Sequence, residues 1–133
     1  MDADAGFTLP KEERLHGVKL TSRLFTGTGA HSMTVFPLRA VWLLVPRMPG
    51  EPPVKMLVSV SKRHFKHAVD RNRVKRQVRE AYRKHKHSLW DALRGKEEQT
   101  LLLAFIWQDD KPLDSTRVEQ KVIRLTRKLS ERV

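Results

Sequence analysis

The chain has 133 residues, with 27 Lys and Arg against 15 Asp and Glu, a net charge of +12 and no cysteine. That length carries one domain with a real core, and the missing cysteines exclude disulfides and cysteine-ligated zinc. The longest apolar runs, VWLLV at 41–45 and LLLAFIW at 101–107, are strand-sized, and the acidic start MDADAGF lacks the basic and apolar regions of a secretory signal, so the expected location is the cytoplasm.

Residues 1–6 read as a disordered tip and 7–133 as a single domain. KLTSRLFT, 19–26, reads as a short helix that Gly27 can end, because glycine accepts the left-handed conformation at a helix C-terminus. From 31 to 45, Met33, Val35 and the run Val41 to Val45 predict one long strand or a pair broken near Pro37. Four prolines and a glycine in PRMPGEPP, 46–53, mark a loop. VKMLVSVS, 54–61, alternates as a strand does, with Met56, Val58 and Val60 facing one way and Leu57, Ser59 and Ser61 the other.

KRHFKHAVDRNRVKRQVREAYRKHK, 62–86, reads as one helix. Its eleven Lys and Arg against Asp70 and Glu80 supply +9 of the +12, leaving the rest of the chain nearly neutral. Val74, Val78, Ala81 and Tyr82 form an apolar stripe that must pack on something, while Arg71, Lys75, Arg79 and Arg83 recur every fourth residue on another face. TLLLAFIW, 100–107, has the continuous apolar run of a buried strand, and 109–114 is a loop. Thr116 and Glu119 have capping-box spacing ahead of a helical stripe of Val118, Val122, Leu125 and Leu129. Strands and helices in this order predict an α/β or α+β two-layer sandwich with a small sheet.

A charge block this dense suits a phosphate backbone, whose neutralisation releases condensed counterions. Catalytic groups are scarce. Asp109 and Asp110 read as a solvated turn, and GTGA at 27–30 lacks the Lys-Ser/Thr of a phosphate-binding loop. The pairs His64/His67 and His85/His87 sit beside Arg63, Lys66, Lys84 and Lys86, whose charge opposes a metal ion, so no metal ligand is expected. Phe25, Phe36 and Tyr82 are candidate rings for stacking unpaired bases, although rings at such positions more often pack in cores.

SVSKR at 59–63 followed by RNRVKRQVREAYR at 71–83 resembles the bacterial ribonuclease P protein family, whose signature is an Arg-Asn-Arg helix after a strand ending in Ser/Ala-Lys-Lys/Arg. The resemblance extends more weakly from Phe7 to Arg132. It implies a sandwich of about four strands in a small mixed sheet and three helices, with a left-handed βαβ crossover through the Arg-Asn-Arg helix, against the usual right hand. It implies a subunit that binds the catalytic ribonuclease P RNA and the single-stranded 5′ leader of precursor tRNA, assisting removal of the leader. The chemistry and most of the Mg²⁺ then belong to the RNA, with neither DNA nor membrane as partner.

Carried over by residue, Lys62, Arg63, Arg71, Asn72, Arg73, Lys75, Arg76 and Arg79 match the family's motif; with the neighbouring Lys66 and Arg83 they make the expected RNA-binding set, with Arg71, Lys75 and Arg79 as the leading ribbon. The leader cleft is Phe25, Phe36, Ser59 and Ser61. The family's second ring before Phe25 is Thr21 here, its glycine in the strand is Leu57, its Gly-Asn-Ala stretch is FKHA, and its basic pair after the last strand is Trp107 and Gln108. Trp107 is therefore a candidate replacement for a leader-stacking ring. The alternative reading is a ribosomal or other structural RNA-binding protein. A DNA-binding regulator fits less well, since a strand leads directly into the basic helix without the preceding helix and tight turn of a helix-turn-helix.

Overall fold

Alternating side chains decide which face of each strand meets the helices. In the computed structural model, which describes residues 13–14, 22–25 and 29–133, four strands are present: β1 (His31–Val35), β2 (Leu38–Pro46), β3 (Val54–Ser59) and β4 (Gln99–Trp107). Besides the helical residues 22–25, the helices α1 (Ala68–His85), α2 (His87–Ala92) and α3 (Ser115–Arg132) accompany them. The strand order is β1-β2-β4-β3; β2 pairs antiparallel with β1 and β4, and β3 runs parallel to β4. The crossover joining β3 to β4 carries α1 and α2.

The main core lies between the sheet and the helical layer. Leu38, Ala40 and Trp42 of β2, Val54, Met56 and Val58 of β3, and Leu101, Leu103, Phe105 and Trp107 of β4 point into it. They meet Val74, Val78, Ala81 and Tyr82 of α1 and Val118, Val122, Leu125 and Leu129 of α3, the two stripes read from the sequence. Each such side chain taken fully from water stabilises the fold by about 1.5–3 kcal/mol before entropy is counted. On the opposite face Val41, Val45, Leu102 and Ala104 pack around Leu24 of the helical residues 22–25, with Leu43, Leu57 and Ile106 only partly covered.

Several local expectations change. The basic stretch is not one helix: Val60 and Phe65 are buried, 60–67 is a loop, and α1 begins only at Ala68, so Lys62, Arg63 and Lys66 precede it. Pro37 splits the first apolar segment into a hairpin, with a cis Phe36–Pro37 bond between β1 and β2. Asp114, not Thr116, caps α3; its carboxylate accepts a hydrogen bond from the Arg117 amide at 2.9 Å. The proline-rich loop turns at Gly50, whose φ of 84° favours glycine. The tip 1–6, Gly27, and residues 19–21 and 26 of the expected helix at 19–26 lie outside the described residues, while 22–25 are helical.

Candidate nucleic-acid interface

Because Val74, Val78 and Tyr82 turn inward, the cations of α1 are divided between an outer face and a half-buried flank. Asn72, Arg73, Arg76 and Lys84 are exposed, whereas Arg71, Lys75, Arg79 and Arg83 are only partly so. The leading ribbon of the sequence reading is thus the flank, and the more accessible charges stand beside it. Val69, 77% exposed on the first turn, adds an apolar patch near Arg73.

Two of the predicted RNA-binding residues also hold the protein together. Arg71 Nη1 donates at 2.9 Å to the carbonyls of both Phe65 and Lys66, tying the loop to the helix that follows it. Arg83 forks onto Glu80 through Nε, at 3.2 Å, and Nη2. That hydrogen bond, with the nearby positive charge of Arg83 and Lys84, holds the Glu80 carboxyl below its ordinary range despite partial burial. Burial, reinforced by the guanidinium of Arg14, lowers the affinity of Arg79 for its proton. Arg14 itself forms a parallel bridge with Met56 at the β3 edge.

The 60–67 loop presents the other basic residues. Ser61 Oγ accepts from the Arg63 amide, and its carbonyl accepts from the amides of His64 and Phe65, so Ser61 shapes the turn. His64 Nδ1 lies 2.7 Å from Asp110 Oδ1, joining this loop to the one after β4. Lys62, Arg63 and Lys66 project from the ordered turn into solvent.

The four residues assigned to the leader cleft do not form one cluster. Ser59 lies on the open sheet face, level with Ile106, which is in turn opposite Arg39. Phe25, 44% exposed, follows Leu24, whose side chain packs on that face. Phe36 instead borders a recess with Leu113, Arg117 and Lys121, on the helical side. Trp107 is not available for stacking: it is 1% exposed within the main core, because its parity on β4 is that of Leu103 and Phe105. Arg39 and Lys55, on the open face with Ser59, were missed, though strand alternation would have found them; Lys55 is paired with Glu51.

A family model described as Ribonuclease P matches residues 9–130. The chain belongs to the ribonuclease P protein family. The ribonuclease P protein component of Porphyromonas gingivalis is 40% identical over 115 residues, covering 84% of this chain and 80% of the relative. That of Chlorobaculum tepidum is 36% identical over 110 residues, covering 75% and 67%. The ribonuclease P protein of Staphylococcus aureus shares the fold at a TM-score of 0.65 and 18% identity, covering 90% of this chain and 95% of that one. The Thermotoga maritima protein does so at 0.64 and 19%, covering 87% and 96%. The chain is accordingly a protein subunit of ribonuclease P and a partner of ribonuclease P RNA, which leaves the ribosomal alternative without support.

Proposed function

We propose that this ribonuclease P protein binds the catalytic RNA through α1 and the 60–67 loop, and holds the 5′ leader of precursor tRNA on the open sheet face, in the cytoplasm. The observation that carries the reading is the division of the surface. A cationic helical face suits a phosphate backbone, and the opposite sheet face, on which Ser59 and Arg39 lie, leaves Leu43, Leu57 and Ile106 partly uncovered, with exposed Phe25 following the Leu24 that packs there. Apolar and aromatic contacts interleaved with a few cations suit an unpaired strand, whose bases are free to stack. Arg73 and Arg76 offer planar forks for bidentate phosphate contacts, and Asn72 can both donate and accept.

Cleavage, in this reading, is RNA chemistry. Among the described residues no group of three His, Asp or Glu side chains is placed to hold a metal ion. Mg²⁺ is assigned mainly to the RNA subunit, with the protein's cations lowering the repulsion between RNA and precursor. The test is affinity measured with RNA alone and with RNA plus protein, for precursor and for mature tRNA. The protein should tighten precursor binding and leave mature tRNA nearly unchanged; equal tightening of both would remove the leader from the account.

A further inference from the structure

Resting on the leader-binding reading above, we infer that α3 and the β1-β2 hairpin form a second single-strand site, which takes upstream nucleotides of a long 5′ leader after it leaves the sheet face. Phe36 is 61% exposed, a large ring that the core does not use. It lines a recess of ≈ 410 Å³ together with Leu113 and the α3 residues Arg117, Gln120 and Lys121. Pro37 lines the same recess, and its carbonyl accepts from the Gln108 amide at 2.8 Å, which fixes the hairpin tip against the end of β4.

From the recess a row of cations continues along the helix. Arg117, Lys121, Arg124 and Lys128 fall at i, i+4, i+7 and i+11, and all but the half-buried Lys121 are exposed. Among the described residues, Arg117 is engaged only by exposed Asp114, at 3.7 Å, and Asp109 is the one carboxylate lining the recess. The whole helix carries six cations and two acids, net +4, which the near neutrality of the chain outside 62–86 conceals because acidic loops and termini offset it. A ring for one base, an amide for its edge and a line of cations for phosphates is the composition of a single-strand site.

A groove lined by Gln77, Glu80, Lys84 and Glu119 lies between this surface and that of α1, its two carboxylates paired with Arg83 and His85. Both carboxyls are held below their usual range, Glu119 chiefly by its hydrogen bond from His85 at 2.8 Å. From the row formed by Ser59, Ile106 and Arg39, the next residues around the sheet end are Leu38, Pro37 and Phe36. That continuity favours the leader over the RNA subunit as the occupant.

The experiment uses holoenzyme reconstituted with ribonuclease P RNA and two precursor tRNAs, with leaders of about 4 and about 12 nucleotides, both within the usual range of single-strand sites. Phe36→Ala, and separately Arg117→Gln with Lys121→Gln, should weaken the long-leader precursor by about fivefold, the lower end for one stacked base, and leave the short one unchanged. Phe36→Trp should retain long-leader affinity. Equal loss with both leaders would place the contact on the RNA subunit, and no loss with either variant would empty the site; each result overturns the inference. If wild-type protein fails to tighten even the short-leader precursor, the leader-binding reading itself has failed.

Discussion

Arg71 separates two jobs that a motif cannot distinguish. Replacing it with Ala removes two hydrogen bonds from one guanidinium nitrogen to the Phe65 and Lys66 carbonyls. A charge-assisted hydrogen bond contributes about 1.5–3 kcal/mol when buried, but Lys66 is exposed and water can replace part of this pair, so the cost should total about 1–2 kcal/mol. For a domain of this size that lowers the melting temperature by roughly 3–8 °C. Arg73→Ala, on the exposed face, should leave melting unchanged. The binding assay reverses the contrast: with one phosphate fewer neutralised, Arg73→Ala should reduce the slope of log affinity for ribonuclease P RNA against log salt by about 0.7–0.9. Arg71→Ala should weaken binding with little change in slope, because it loosens a loop more than it removes a cation from a phosphate. An Arg71→Ala protein with unchanged melting and a slope reduced by ~0.8 would refute this assignment.

Trp107→Ala should destabilise the protein by about 3–5 kcal/mol in denaturant titration, since the ring is buried and its removal opens a large cavity. Glu13 and Lys86 form a largely buried pair at 2.7 Å, so Glu13→Ala should lower stability more than Glu13→Ala combined with Lys86→Met, a comparison made by urea unfolding of the three proteins. Glu80 and Glu119 have depressed folded-state pKa values, so each contributes stability that is present above the ordinary carboxylate value near 4.5 and lost as pH falls through the lower folded value. Glu119→Gln should flatten the acid side of the stability profile, read from thermal melts between about pH 5 and 3.

Features set by short-range pattern were legible in the sequence. The stripes of α1 and α3, the alternation of β3 and the buried run of β4 all lie where periodicity puts them. The start of α1 was not, because Phe65 is held by tertiary burial while Lys62 to His67 carry a composition a helix could also use. Nor could the motif reveal that Arg71 ties down a loop or that Arg83 forks onto Glu80, since the same residue types serve phosphate and protein equally well. Phe36 and Trp107 show the limit in another form: an aromatic residue in sequence has no face until strand parity and the hairpin are known. The α3 row was visible as spacing at 117, 121, 124 and 128, yet a net-charge count concealed it.

The central claim is that this chain works as the protein half of a ribozyme. Its most direct test is cleavage of precursor tRNA at low Mg²⁺ by the chain alone, by bacterial ribonuclease P RNA alone, and by the two together. The account predicts no cleavage by the chain, slow cleavage by the RNA, and efficient release of the 5′ leader by the pair. Cleavage by the chain without RNA, or no stimulation of the RNA by the chain, would contradict it.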